Sequence, residues 1–475
     1  MSLPVASQDA ATSAPARARG ANFAPRASAT LWVISGRIGG ILATALVAFL
    51  LPRSLSPPEC GQFLLLQSWL GLAALVAAGG VPLAVVKLLG EGLALGDLPR
   101  LRSALGQTLG LTVVISVTIA FATAALLFVW RPATLGDGEN STWLVLFCLA
   151  LLLIAWQWVL VEAIRGLGEL RWASLFAGGQ SGGPVATLIF VAALLAMSTT
   201  GQVSATMALT IFVGALALSL PLVVACLGLT WQGLAAPQNA PRETRAVPLS
   251  ATGILSLALP ICASQNLAFL TLSADIPIAG FFSDKGDVAL LGQTRRLMLV
   301  LQLPTQMLVM TMLPAVARLY AEGNLPELER LVRKSTNYSA LFTLAAASVM
   351  LTAPGLVLGL LFGDFYRQGA PLLVALALGQ LVAAHNGMAG YILLMAGRQQ
   401  TVVLVNAVTA GLMLTVGPLA AYWGGIVGLA SASAAILAGQ SILEWWSARR
   451  LLHISSHVNW GALVRVVEAK SNSKN

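Results

Sequence analysis

Apolar residues along this chain fall in long runs that short polar segments separate. Most runs reach about 20 residues or more, the length an α-helix needs to cross the hydrocarbon core of a bilayer. The twelve runs cover residues 30–51, 62–86, 104–130, 143–163, 172–196, 204–231, 252–274, 291–317, 337–361, 371–395, 401–422 and 424–447. The pattern therefore predicts an all-α polytopic membrane protein with about twelve transmembrane helices.

Composition narrows the class of protein in the same direction. Of the 475 residues, 57% are hydrophobic and 9% are charged, against roughly 25% charged in an average soluble domain. A soluble protein of this size keeps much of its surface polar, which this composition does not allow. It argues against a soluble enzyme, a nucleic-acid binder and a disordered scaffold. The four cysteines are scattered without a CxxC pair, so no metal site is predicted.

The net charge of +9 is explained by orientation in a membrane. If the N-terminal tail is cytoplasmic, 20 of the 27 basic residues fall in cytoplasmic loops and tails and six fall on the opposite side. Cytoplasmic loops of membrane proteins are enriched in Lys and Arg. The pattern predicts that both termini are cytoplasmic, and it accounts for the charge without nucleic acid.

The sequence predicts five segments along the chain. A disordered cytoplasmic tail is predicted over residues 1–28, and its Arg and Ser content also resembles an organellar transit peptide. The remaining segments are an N-terminal six-helix bundle, a cytoplasmic linker, a C-terminal six-helix bundle and a cytoplasmic tail, over residues 29–231, 232–250, 251–447 and 448–475.

The two predicted bundles carry a sequence repeat. A Val-Pro segment at 81–92 matches a Leu-Pro segment at 313–323, and both run to an acidic residue and Gly before a Leu-Pro step at Leu98 and Leu325. The same spacing brings Gly168 onto Gly397. Six spans per copy give both copies one orientation, with a cavity between the bundles, and transporters usually bind substrates at such an interface.

Arg37 is the clearest charge inside a predicted span. Charges in membrane segments are costly and tend to face a cavity or a partner. Arg37 lies early in the first run, beside Gly36, Gly39 and Gly40. It is predicted to face the central cavity, and the alternative is snorkelling to the cytoplasmic surface.

The seventh run adds an acid and two amides. Gln265 and Asn266 follow Pro260, and Asp275 lies near the outer end of the run. We predict that the amides line the cavity and that Asp275 carries a proton or ion, or pairs with an Arg. The alternative for Asp275 is an acid at the membrane interface.

The eighth run carries a polar stripe. Gln302 and Gln306 are four residues apart and share a helix face, and Arg295 lies seven residues before Gln302, with Arg296 beside it. These four residues are predicted to line a hydrated cavity, and the alternative is a polar seam between helices.

The tenth run contains His385, with Gln380 and Asn386 nearby. A histidine can titrate near neutral pH, which makes His385 a candidate for proton coupling, and the alternative is a structural hydrogen-bonded histidine. Single polar residues in other runs have the plain interpretation that they join helices; they are Gln67, Gln157, Gln180 and Asn406.

The sequence has no motif for an enzyme. It lacks a GxxxxGK[ST] nucleotide loop and an HExxH pair, so we predict a transporter that needs no cofactor and no metal.

The region around residues 36–92 resembles the polysaccharide-transport family of oligosaccharide-lipid flippases, of the multidrug/oligosaccharidyl-lipid/polysaccharide (MOP) superfamily. The resemblance rests on an Arg-Ile-Gly early in the first run, on Arg53-Ser54-Leu55-Ser56-Pro57-Pro58-Glu59-Cys60-Gly61, and on Gly80-Val81-Pro82 with Lys87. Cys60 stands where the family usually has Tyr, and a Gly-x-Tyr stretch near Gln293 is absent.

The resemblance implies export of a glycan on a polyprenyl diphosphate, such as an O-antigen of lipopolysaccharide or an exopolysaccharide, across the bacterial cytoplasmic membrane. The implied partners are this glycan lipid, membrane lipids and a polysaccharide polymerase or export complex. Arg37, Arg295 and Arg296 are expected to attract the anionic headgroup, since the guanidinium fork matches phosphate oxygens.

Other functions remain open. One is a cation-coupled multidrug exporter of the same superfamily, for which Asp275 is the strong candidate carboxylate. A membrane scaffold or a glycan polymerase is another, although the outer loop 131–142 is short for a polymerase. Lipid II flippases are further relatives, usually with 14 spans.

Overall fold

The computed structural model describes residues 27–95, 97–130, 140–178, 182–199, 201, 203–233 and 251–458. Of the predicted tails and linker, residues 1–26, 234–250 and 459–475 lie outside the described residues. Throughout the described ranges the regular secondary structure is helical, without a strand. The predicted all-α fold is confirmed.

The N-terminal half comprises eight helices in the described part of the chain. They are α1 (Ala27–Ser54), α2 (Pro57–Ala78), α3 (Val81–Leu95), α4 (Leu98–Trp130), α5 (Asn140–Gly166), α6 (Leu170–Phe176), α7 (Gly183–Ser198) and α8 (Ala205–Gln232). The C-terminal half continues with α9 (Ala251–Ser273), α10 (Asp275–Phe282), α11 (Lys285–Ala321), α12 (Leu325–Thr352), α13 (Pro354–Phe362), α14 (Ala370–Asn386), α15 (Ala389–Met395) and α16 (Gln399–Leu452). A 3-10 helix at Asp364–Gly369 joins α13 to α14.

Several predicted spans are broken at glycines. Gly79 and Gly80 separate α2 from α3 with φ of 57° and 73°, and Gly387 separates α14 from α15 with φ of 75°. Gly425, with φ of 57°, bends α16 within its 54 residues, so this helix carries the last two predicted spans. Glycine adopts this left-handed conformation without a Cβ clash.

The helices account for the predicted spans in different ways. Among the described residues, seven helices are long and apolar enough to cross a membrane, or eight if α12 and α13, bent by 91°, form one span. If α12 and α13 are counted as one span, these eight helices carry nine of the twelve predicted spans, because α16 carries two. The other three fall on α1, on α6 with α7, and on α11. Ile38–Ser54 of α1 and the whole of α7 are shorter apolar helices. The long helix α11 contains Arg295 and Arg296.

The internal repeat is confirmed in the helix ends. Asp97 caps α4 by accepting from the Arg100 N–H at 2.9 Å, and Asn324 caps α12 by accepting from the Glu327 N–H at 3.2 Å. Both caps precede a Leu-Pro step, as Asp and Asn commonly do at helix starts. Gly168 and Gly397 both have positive φ and close the preceding helix with the same pair of backbone hydrogen bonds.

The two halves pack differently at the two ends of the bundle. We call the end that holds the α1–α2 and α10–α11 connections the outer end, following the predicted orientation, and the opposite end the inner end. One apolar core at the outer end includes Phe63 and Leu65 of α2 together with Ala289 and Leu291 of α11. Toward the inner end the halves have separate cores.

The separate inner cores differ in membership. The core of the N-terminal half includes Val85, Ile164 and, from α9, Ile254, whereas the core of the C-terminal half includes Val316 and Ile392. The halves are therefore joined across the outer end, and α9 is the helix of the C-terminal half that also packs on the N-terminal half near the inner end.

Candidate functional site

Asp275 and Arg295 form an ion pair between α10 and α11. Asp275 is 1% exposed and the Arg295 side chain is 22% exposed. The second Asp275 oxygen accepts the Ile276 N–H at 3.0 Å. The sequence left two roles for a buried Asp275, which were to carry a proton or ion and to pair with an Arg. The structure contains the pair with an Arg.

Arg296, the next residue, points to the other half of the protein. Its Nη2 donates to the Gln67 Oε1 of α2 at 3.1 Å. Its Nη1 is buried and has no hydrogen-bond partner. Gln67, which the sequence suggested only as a link between helices, thus connects the two halves beside a predicted site residue.

Gln302 and Gln306 form a seam with α14. Gln302 Nε2 donates to Gln380 Oε1 at 3.1 Å, and Gln306 Nε2 lies 3.5 Å from Gln302 Oε1. Both side chains are half-buried. The contacts match the alternative of a polar seam between helices. The predicted stripe does not act as one surface, because Arg295 contacts α10, Arg296 contacts α2 and Gln302 contacts α14.

Both amides of α9, Gln265 and Asn266, are half-buried. Asn266 Nδ2 donates to the Cys262 carbonyl of its own helix at 2.9 Å. Arg37 lies in α1, and its side chain lies outside the described residues.

His385 lies at the inner end of α14. Its carbonyl accepts the Val458 N–H at 3.0 Å, and its ring centre is 6.2 Å from that of His457. It also lines a small pocket with Ala340 and Leu344 of α12.

A second polar group lies in the contact between α2 and α11. Gln293 is fully buried, and its Nε2 donates to Cys60 Sγ at 3.3 Å. The Tyr366 hydroxyl faces the same thiol without meeting hydrogen-bond geometry. Nearby, Lys285 Nζ donates to Gln62 Oε1 at 2.9 Å. Sequence reasoning missed this group, because Cys60 was noted only as a departure from a family pattern and Gln293, which opens the eighth run, was not assigned to the site.

Two further carboxylates inside predicted spans were also missed. Glu162 is 5% exposed, and both of its oxygens lie 2.7 Å from Arg165. Glu444 accepts from Gln440 at 3.3 Å and forms no ion pair with a described residue. The rule that singled out Arg37, a charge within an apolar run, would have identified Glu162 and Glu444 as well.

No group of three or more His, Cys, Asp or Glu residues is placed to hold a metal ion in the described part of the chain. The polar groups named at the contact between the halves are amides, guanidinium groups, the Lys285 ammonium, a phenol and a thiol. Such groups bind hydroxyls and anions by hydrogen bonding.

No family model and no curated protein matches the sequence. Solved structures do resemble it. An inward-facing conformation of a multidrug resistance MATE family transporter of the MOP superfamily has a TM-score of 0.69 at 14% identity, covering 89% of this chain and 97% of that chain. Lipid II flippase MurJ in an inward closed conformation has a TM-score of 0.66 at 12% identity, covering 89% and 87%.

The resemblance shows the fold, which this chain shares with solved transporters of the MOP superfamily. An outward-facing conformation of a MATE transporter of the superfamily has a lower TM-score of 0.60 at 12% identity, covering 89% of this chain and 95% of that chain. The higher score for the inward-facing form agrees with a shared core at the outer end and separate cores at the inner end. The chain is a multi-pass membrane protein with a transporter fold.

Proposed function

We propose that this protein translocates a lipid-linked oligosaccharide, a glycan on a polyprenyl diphosphate, across the bacterial cytoplasmic membrane by alternating access. The glycan would serve cell-surface polysaccharide synthesis, as an O-antigen of lipopolysaccharide or as an exopolysaccharide. The protein would act as a transporter without enzymatic chemistry and without a cofactor.

The balance of charge where the two halves meet carries this proposal. Asp275 is buried against Arg295, so its charge is already neutralised. Arg296 has only the neutral Gln67 as a hydrogen-bond partner, so its positive charge has no acidic partner among the described residues where the halves meet. An uncompensated guanidinium favours an anionic headgroup over a cationic drug, because its planar donors match phosphate oxygens.

A sugar headgroup cannot cross hydrocarbon unaided, since each hydroxyl would lose its hydrogen bonds to water. Amides and guanidinium groups between two bundles can replace that water. The lipid tail would stay in the bilayer while the bundles rock to expose the headgroup first on one side and then on the other.

The test is flipping of a fluorescent polyprenyl-diphosphate sugar in proteoliposomes that hold the full-length protein. We expect Arg296→Ala to lower the flipping rate about tenfold or more, and Arg296→Lys to lower it less because it keeps the charge. The matched control is Arg330→Ala, which removes an exposed arginine paired with Glu327 at 2.9 Å. Flipping that Arg296→Ala leaves unchanged would contradict the headgroup role.

The alternative is a cation-coupled multidrug exporter of the same superfamily. It is favoured by Glu444, a carboxylate with an amide partner and no ion pair among the described residues, and by the MATE fold. Gradient-driven efflux of cationic drugs that is lost in Glu444→Gln, with no flipping of the glycan lipid, would support this alternative instead.

We also propose that both termini are cytoplasmic and that membrane lipids and a polysaccharide polymerase or export complex are partners. The distribution of basic residues supports the orientation. Topology reporters fused to each terminus test it, and an extracytoplasmic signal from either one would contradict it.

A further inference from the structure

The contact between α2 and α11 at the outer end contains a polar cluster that is only partly satisfied. We define the outer polar cluster as Cys60 and Gln67 of α2, Gln293 and Arg296 of α11, and Tyr366 of the 3-10 helix. Two hydrogen bonds cross between the halves within it, from Gln293 to Cys60 and from Arg296 to Gln67.

Three polar atoms of this cluster are buried without a partner. They are Gln293 Oε1, Arg296 Nη1 and the Tyr366 hydroxyl, all from the C-terminal half. Gln293 and Tyr366 are almost fully buried, at 0% and 2% exposure. Buried polar groups usually find a partner, and one left unpaired is costly.

The cost falls on one conformation only. With the outer end closed, none of the three atoms has a hydrogen-bond partner, although the Tyr366 hydroxyl faces the Cys60 thiol. If the halves part at the outer end, water reaches the cluster and satisfies all three. The cluster therefore opposes the apolar packing that closes the outer end, where Phe63 and Leu291 belong to one core.

We infer that Gln293, Arg296 and Tyr366 are positioning residues that set the balance between the closed and open states of the outer end, through unpaired polar atoms that only the open state hydrates. The inference rests on the proposed function only in assuming that the halves part during transport. It does not depend on which substrate is carried.

Cys60 supplies a native reporter for the test. Its thiol is 0% exposed inside the cluster, so a membrane-impermeant maleimide added from outside labels it only when the outer end opens. In the full-length protein in cells, Cys148→Ala, Cys226→Ala and Cys262→Ala leave Cys60 as the labelling site. Each variant's rate is normalised to its rate in denaturant, which corrects for differences in protein amount and reagent activity.

Tyr366→Phe and Gln67→Leu give opposite expectations. Tyr366→Phe removes only the unpaired hydroxyl, so labelling should slow about fivefold or more, the factor that corresponds to about 1 kcal/mol. Gln67→Leu removes the acceptor of Arg296 and leaves a second guanidinium nitrogen unpaired, so labelling should accelerate by a similar factor.

A generic loosening of the interface would accelerate labelling in both variants, and that result would overturn the inference. Equal labelling in wild type and Tyr366→Phe would overturn it too. Spin labels at Thr199 and Leu360, both exposed, give an independent readout, because the two residues belong to different halves near the outer end. The fraction of molecules with a short distance between the labels, which is the closed state, should increase in Tyr366→Phe and decrease in Gln67→Leu. These measurements need no substrate, so they stand even if glycan flipping fails.

Discussion

Asp275 shows how a single residue can be recognised from sequence while its role depends on a neighbour. As an acid near a predicted span it was a candidate for carrying a proton, and the structure pairs it with Arg295 inside the C-terminal half. The partner lies 20 residues away in the next helix, so no local spacing rule could have indicated it. A buried pair of this kind is expected to matter for stability, because removing one partner strands the other charge.

We predict that Asp275→Ala destabilises the protein by about 3–5 kcal/mol, since it leaves Arg295 without its counter-charge. The double variant Asp275→Leu with Arg295→Met should regain most of that loss, because apolar replacement of a buried pair is often neutral. Thermal unfolding in detergent measures both. Arg367→Ala, at the exposed pair with Asp364, is the control and should change stability by about 0–1 kcal/mol. A double variant as unstable as the single one would contradict the pairing.

At the scale of elements, the segment after α16 folds back onto the C-terminal half. Ile454, Ser456 and Val458 are buried, and the Ser456 hydroxyl donates to the Asn386 carbonyl at 2.7 Å. This carbonyl lies at the break between α14 and α15, where the helix cannot supply its own hydrogen bonds. The segment thus completes a broken helix.

His457 makes the docking of this segment dependent on pH. Its Nδ1 accepts from Trp445 Nε1 at 3.2 Å. Burial lowers the pKa of His457, and so do the nearby Arg333, His385 and Arg449, while Glu329 acts in the opposite direction. The docked state therefore favours the neutral ring. Its contribution to stability is complete above the undocked pKa of about 6.5 and is lost as pH falls through the lowered pKa of the docked state.

We predict that the melting temperature of the purified protein falls below about pH 6.5 and that His457→Gln reduces this dependence. The reason is that glutamine keeps an acceptor for Trp445 but does not titrate. His453→Asn is the matched control, because His453 is exposed and its φ of 56° is one that asparagine tolerates. An unchanged pH profile in His457→Gln would show that another group is responsible.

The sequence predicted the helices well and their partners poorly. All twelve apolar runs fall on helices, because the length and apolarity of a span are local properties. The repeat could also be found, since Asp97 and Asn324 cap equivalent helices before the same Leu-Pro step. The interface of Cys60 with Gln293 joins residues 233 positions apart, and only the packing of the two halves brings them together.

At the scale of the whole molecule, the closed outer end joins two halves whose inner cores are separate except for Ile254 of α9. Gln62 and Lys285 bridge it at 2.9 Å, and Arg53 of α1 donates to the Leu360 carbonyl of α13 at 3.0 Å. Gly61 lies so close to the Lys285 carbonyl that even a Cβ would collide with it. Alternating access requires these contacts to break, because the substrate path must open outward in one state.

We predict that a covalent link across this joint stops transport. In a background without native cysteines, Gln62→Cys with Lys285→Cys should be joined by a short bifunctional thiol reagent with a cleavable disulfide spacer. Flipping of the fluorescent glycan lipid should then fall to the level of empty vesicles and return after reduction. The matched control is Ser54→Cys with Val203→Cys, whose backbones are bonded at 3.4 Å at the outer end but within the N-terminal half. Linking this control pair should leave transport near its unlinked rate, because both residues move together. Transport that persists in the linked Gln62–Lys285 variant would mean that the halves need not separate at the outer end.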